Sequence, residues 1–491
     1  MLCLRNRLML LLAVGAAITA FLPAQPLDSQ GASLPDATRR AIESQIEKAE
    51  GKRGRFGLLV QDLDSGEVLL SHRADEALAP ASNMKLVTTV AALELLGADF
   101  EYVTRVMGRG AVADGAWQGD LCLVGGGDPN LSGRFYNNDP LALFKAWAAQ
   151  LAAKGIARVT GDLQFDTSLF GGEAYCEGWP KDDQYTKWYC AEVSALAFND
   201  NCVGLRVLPG QADKPGQVEL VPPTAYAGIV NQTQTRAGRK AAEIGILRPR
   251  DQNTITVKGT VYEKSSWGYT TDVTVHDPAQ YAATVFRETL QACGIRVEGN
   301  VVSTVLTADH LPGYSVLVEH RSKLSQALVP INTNSQNLHA EMLLRMLGVA
   351  YAGKGTFKTG CAAVQEFLTN EGLWTADMRV LDGSGLARDD RVSARLLATL
   401  LARTAGKPHF EAFRASLAVA GETGTLDDRL NDPATKGKVF AKTGYINGVR
   451  ALSGYILAGK RRYAFSMLMN DCLYTRETQD EIVKLLARAG T

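Results

Sequence analysis

Apolar residues recur along this chain in two periods, and each period marks a different kind of element. Near the start, "RFGLLVQDLDSGEVLLSHRADEAL" (55–78) sets two apolar runs on either side of an Asp-Ser-Gly turn, the pattern of a β-hairpin. A helical stretch near residues 36–50 precedes it. Near the end, "GKVFAKTGYI" (437–446), "RALSGYILAG" (450–459) and "RRYAFSMLMN" (461–470) predict three successive strands, the last two joined by a tight turn at Gly459-Lys460. A final helix, "TRETQDEIVKLLARAG", follows. A hairpin at one end, and strands plus a helix at the other, predict one antiparallel sheet assembled from both ends of the chain. Residues 25–107 and 309–491 would then be two parts of one domain, and 108–308 an inserted α+β module or modules. Inside that middle, "NDPLALFKAWAAQLAAKGIARVTG" (138–161) matches "HDPAQYAATVFRETLQACGIRVEG" (276–299), each with Asp-Pro at a helix start and Gly-Ile leading into a strand. Either this is a repeated α-to-β unit, or two helix–Gly–strand stretches simply look alike.

One helix breaks the expected pattern. In "APASNMKLVTTVAALELLG" (79–97), apolar residues cover most of the circumference, so the helix belongs inside a domain. Ser82 is an N-cap by residue type. Three residues on, a capping box and the helix dipole both favour an acid, yet the chain has Lys85. A helix N-terminus and apolar walls both push a lysine pKa down. Lys85 therefore reads as a base one turn from a serine hydroxyl.

Composition narrows the field. The 491 residues suffice for two or three domains, and 52 basic residues balance 52 acidic ones, which argues against nucleic acid and against an anionic-membrane footprint. The first 24 residues have the anatomy of a secretory signal: Arg5 and Arg7, an apolar stretch from Leu8 to Ile18, then Ala20 and Ala24. The expected mature protein is exported, periplasmic or extracellular, with no stable transmembrane anchor after processing; an uncleaved anchor is the alternative. Of eight cysteines, Cys3 falls in the leader, and the rest show no C-x-x-C spacing or zinc-like His cluster, so neither metal nor cofactor is expected. One disulfide among Cys176, Cys190 and Cys202 is plausible in an oxidising compartment.

Two further signals accompany Ser82–Lys85. "NTNSQNLHAEMLLRMLG" (332–348) contains Ser335-Gln336-Asn337 at the start of another apolar helix, and "FAKTGYINGVRALSGY" (440–455) carries Lys442-Thr443-Gly444 on a predicted strand. A second such triplet, Lys358-Thr359-Gly360, leads into the helical pattern "CAAVQEFL" and reads as a decoy, because the chemistry wants this triplet on a strand beside a cleft. In their order, S-x-x-K, S-x-N and K-T-G resemble the set of the serine penicillin-recognising enzymes.

The resemblance is closer than that superfamily. The chain resembles the class C low-molecular-mass penicillin-binding proteins, the D-alanyl-D-alanine carboxypeptidase/endopeptidase family (peptidase family S13). "GDLCLVGGGDPNL" (119–131), "SALAFNDNCVGL" (194–205), "LDGSGLARDDRVSA" (381–394), "GETGTLDDRL" (421–430) and "KTGYINGVRALSGY" (442–455) carry it, together with the roughly 250 positions between Ser82 and Ser335. It implies an α/β (α+β) fold: a β-lactamase/transpeptidase-like domain with an antiparallel sheet flanked by helices, interrupted by a large insertion. The implied activity is a serine D,D-peptidase on peptidoglycan stem peptides, with β-lactams as inhibitors and no cofactor. In that scheme Ser82 attacks and Lys85 takes its proton. Ser335 relays the proton to the leaving amine, while Asn337 orients substrate and Lys85. Lys442, with Thr443 and Gly444, receives a substrate carboxylate, and the amides of Ser82 and Tyr445 form the oxyanion hole. Gln336 stands where Asp or Asn is common in the family, and Tyr445 where Thr or Ser is. Two alternatives share these motifs: a β-lactamase or esterase of the same fold, and a non-catalytic penicillin-sensing or wall-binding protein.

Overall fold

The computed structural model describes residues 34–490 except 182, 265–267 and 308; the expected signal sequence lies outside the described residues. The two ends of the chain do meet in one sheet. Its six strands run in the order Ala418–Val419, Val439–Ile446, Val449–Ala458, Arg461–Asn470, Arg55–Asp62, Val68–His72, every neighbour antiparallel. The seam is the pairing of Arg55 with Asn470 through to Asp62 with Tyr463. Alternation along Arg55–Asp62 explains the layers. Leu58 faces the helix Asp36–Glu50, which packs against the C-terminal helix Thr475–Ala489. Gly57 and Leu59 face the opposite way, against Ala394 and Ala398 of the helix Ala394–Thr404.

On that second side sits the helical core. The helix Met84–Leu95 buries every residue from Met84 to Leu93, as its apolar circumference requires, and packs on the helices Leu324–Asn332 and Asn337–Ala352. Its start differs from the expectation. Ser82 is not the N-cap but lies inside a one-turn 3-10 helix, Ala81–Asn83, whose first residue is left-handed (φ 46°). The serine hydroxyl is engaged by Lys85 rather than by a helix amide.

The stretch between the two halves carries its own sheets. Strands Glu101–Ala113, Ala116–Val124 and Ser315–Lys323 form the antiparallel part of a seven-stranded sheet, and two three-stranded sheets lie between residues 202 and 274. The two similar sequence stretches lie side by side. Arg158–Val159 pairs in parallel with Arg296–Val297, Leu163–Asp166 with Val301–Thr304, and their helices, Ala142–Ala153 and Pro278–Ala292, are in contact.

Among the described residues no helix is long and apolar enough to cross a membrane, and no group of three or more His, Cys, Asp or Glu is placed to hold a metal ion. The disulfide expected among Cys176, Cys190 and Cys202 is absent: each of the seven described cysteines is a thiol. Cys176 donates its thiol to the Leu381 carbonyl, and Cys190 is taken up in the apolar core.

Candidate active site

Six separated stretches converge on one cleft of about 760 Å³, whose lining includes Ser82, Ser335, Asn337, Thr443 and Tyr445. The centre of the arrangement is Lys85, wholly buried. Its Nζ lies 3.0 Å from Ser82 Oγ, 2.7 Å from Asn337 Oδ1 and 2.8 Å from the Ser384 carbonyl. The last two are acceptors only, so they fix two N–H bonds of the amine. The remaining tetrahedral position faces Ser82, where a neutral amine presents its lone pair to the hydroxyl proton. Burial pushes the Lys85 pKa down to about 7 against the opposing pull of Asp382 and Glu341. Asn337 is itself fixed, donating from Nδ2 to the Tyr189 carbonyl at 2.8 Å.

The acids that hold this centre, Glu341 and Asp382, come from two stretches, and neither residue had a role in the motif reading. The Glu341 carboxylate accepts the amides of Gly383 (2.8 Å) and Ser384 (2.9 Å), and so aims the Ser384 carbonyl at Lys85. Burial, then the charge of Asp382, push its pKa up to about 8. Asp382 accepts from the amides of Gly385 (2.6 Å) and Ala387 (2.7 Å) and from Trp179 Nε1 (2.8 Å). The resulting turn lies hard against the serine: Gly385 has φ +78°, and a Cβ there would stand 1.8 Å from the Ala81 carbonyl. Only glycine fits both constraints. The Asp-Gly-Ser-Gly run is the signal that could have revealed this turn, and Glu341 stands out as the one acid in an apolar helix face.

The third motif reaches the site on a strand, Val439–Ile446. Its outer neighbour, Ala418–Val419, covers only Phe440 and Ala441, which leaves the strand uncovered by another strand from Lys442 onward. Gly444 permits close approach: a Cβ there would lie 2.9 Å from the Pro80 carbonyl and 3.2 Å from the Ser82 nitrogen. The strand is pinned by Asn83, which donates to the Lys442 carbonyl at 2.7 Å and accepts from Ser453 at 2.8 Å. Lys442 is fully buried, with Nζ donating to the Thr443 carbonyl at 2.9 Å; burial, then the nearby Lys85 charge, push its pKa well down. Thr443 donates to Thr425 at 2.7 Å, and Tyr445 is exposed at the rim beneath the Arg450 guanidinium.

The decoy triplet goes elsewhere. Lys358-Thr359-Gly360 forms the first turns of the helix Phe357–Asn370, with Lys358 exposed. Its glycine serves helix crossing, since a Cβ on Gly360 would lie 2.4 Å from the Leu344 carbonyl. Residues 38–489 match the D-Ala-D-Ala carboxypeptidase 3 (S13) family. The chain belongs to this family. As an S13 member it is a serine peptidase, a hydrolase of the D-Ala-D-Ala carboxypeptidase type. The D-alanyl-D-alanine carboxypeptidase of an Actinomadura species is 37% identical to this S13 chain over 477 residues, covering 93% of the chain and 86% of the relative. D-alanyl-D-alanine carboxypeptidase DacB of Haemophilus influenzae is 25% identical over 424 residues, covering 84% and 85%. The crystal structure of penicillin binding protein 4 from Haemophilus influenzae superposes with a TM-score of 0.77 at 22% identity, covering 91% of this chain and 98% of that one. That likeness gives the S13 chain the fold of penicillin binding protein 4.

Proposed function

We propose that this S13 peptidase is exported and cleaves D-Ala-terminated stem peptides of peptidoglycan, by carboxypeptidase or endopeptidase action, through an acyl-enzyme on Ser82. The observation that carries the reading is the amine of Lys85, held by two acceptor-only partners with its third position toward Ser82 Oγ. As Oγ attacks the carbonyl carbon of the penultimate D-alanine, its proton passes to Lys85, and the new C–O bond leaves an oxyanion facing the amides of Ser82 and Tyr445. Collapse breaks the C–N bond while the proton reaches the departing amine by way of Ser335. Water then repeats the sequence on the ester. A terminal carboxylate in the cleft supplies the counter-charge that buried Lys442 lacks, and a charged Lys442 in turn disfavours a proton on Lys85.

A gel with fluorescent penicillin tests this directly. Stable labelling of the wild type and none of a folded Ser82→Ala protein is the expected result. Rapid turnover of the label would instead give a β-lactamase, and no label on the wild type a non-catalytic protein. Mass spectrometry of digested muropeptide monomers and cross-linked dimers separates the two cleavage modes. N-terminal sequencing of the exported protein is expected to begin near Gln25.

A further inference from the structure

Ser335 is held in a left-handed backbone conformation (φ 63°) that a serine adopts only at a cost. The residue after it, Gln336, is buried and donates from Nε2 to Asp200 Oδ2 at 3.2 Å. The same carboxylate accepts from His339 Nε2 at 3.0 Å and from Arg134 Nε at 2.6 Å. Gln336 and His339 thus bracket Asn337 on either side, both tied to one acid that comes from the stretch between the two halves of the main sheet.

Asp200 is itself on a rigid base. Asn199, Asp200 and Asn201 are three consecutive left-handed residues, types that tolerate that region. Asn201 accepts from the Phe198 amide at 3.1 Å and donates to the Glu192 carbonyl at 2.8 Å, and its own carbonyl accepts from the Val275 amide at 3.1 Å. Burial opposes ionisation of Asp200, but the contacts from His339 and Arg134 outweigh it and hold the carboxyl at about 2. An ionised, buried, triply bonded acid is a strong anchor.

We infer that Asp200 is a positioning residue for acyl transfer: it holds Gln336 and His339, and through them keeps Ser335 in its left-handed setting toward the leaving group. This rests on the reading of Ser335 as the relay of the proton to the departing amine. A relay matters most for a poor leaving group, so the inference predicts a dependence on the leaving group that general loosening of the fold would not give. Peptide cleavage needs the amine protonated, whereas a D-alanyl thioester expels a thiolate that does not.

The test uses Asp200→Asn, which keeps the shape and tolerates φ > 0. Turnover of a D-Ala-D-Ala peptide is expected to fall about 10- to 100-fold, the scale of a lost charge-assisted hydrogen bond. Turnover of the thioester should stay within about threefold, with unchanged circular dichroism. If Asp200→Asn does not fold, Gln336→Met removes the same bond from the other side and should give the same pattern. Equal losses on both substrates, or no loss on the peptide, would overturn the inference. Ser335→Ala alone reads the relay: equal losses on peptide and thioester would remove that role from Ser335. The double variant reads Asp200 separately. Turnover no lower than that of Ser335→Ala supports action through Ser335, and a further loss beyond about threefold overturns it whatever Ser335 does.

Discussion

Acidification offers the sharpest test of the base. At its ordinary 10.5 a lysine is neutral in about one molecule in 3,000 at pH 7. With the Lys85 pKa pushed down to about 7, half the molecules carry the free amine at neutral pH. The neutral fraction grows as pH rises, so the rate of acylation by a neutral-side-chain penicillin should climb about tenfold per unit between pH 5 and 6, bend near 7, and level off by about 8.5. Stopped-flow quenching or timed labelling from pH 5 to 9 gives the profile. Because the charges of Glu341 and Lys85 act on each other, the bend belongs to the pair rather than to one residue. Glu341→Gln leaves only one oxygen for the amides of Gly383 and Ser384, so the Ser384 carbonyl should lose its aim at Lys85 and labelling should fall. Lys85→Arg keeps the charge and cannot deprotonate, so it should abolish acylation with folding intact. A flat profile, a bend near 10, or a Lys85→Arg protein that acylates at near wild-type rate would each refute the assignment of Lys85 as the base.

Lys442→Ala should lower acylation by carboxylate-bearing β-lactams by at least about 100-fold, the order expected for a lost charge-assisted contact in a closed site, while Lys358→Ala should stay within about twofold; equal losses in timed labelling would contradict the two placements. Gly385→Ala puts a Cβ 1.8 Å from the Ala81 carbonyl at φ +78°, so urea denaturation should show a loss of at least about 2 kcal/mol, and labelling should fall with it.

Legibility followed the range of the interaction. The hairpin and the three late strands could be read because local apolar runs and turn residues decide them, and strands Arg461–Asn470 and Val439–Ile446 lie within two residues of the reading. Ser82, Lys85, Ser335, Asn337 and Lys442 could be singled out because their residue types and order carry chemistry by themselves. The groups that hold Lys85 in place could not. Ser384 acts through a carbonyl, which every residue has, and Glu341 and Asp382 matter for amides some 40 positions apart or folded into a turn of their own. Ser82 reads as a cap in sequence because the same hydroxyl suits a helix amide and a lysine amine, and only the left-handed Ala81 turn decides between them. The cysteines misled for a similar reason, since composition reports a compartment but not whether two thiols meet.

The seam between Arg55–Asp62 and Arg461–Asn470 has a consequence in time. During synthesis the first of these strands leaves the ribosome some 400 residues before its partner, about 20 to 80 s at ordinary elongation rates. Until residue 384 has emerged Lys85 lacks the carbonyl of Ser384, and until residues 439–446 have emerged the turn bearing Ser82 lacks the strand of Gly444 beside it. On the proposed mechanism a nascent chain should not acylate. On that mechanism reactivity should arise only when the last strands arrive, so a chain that stops short of them should present the serine with none of its nucleophilicity.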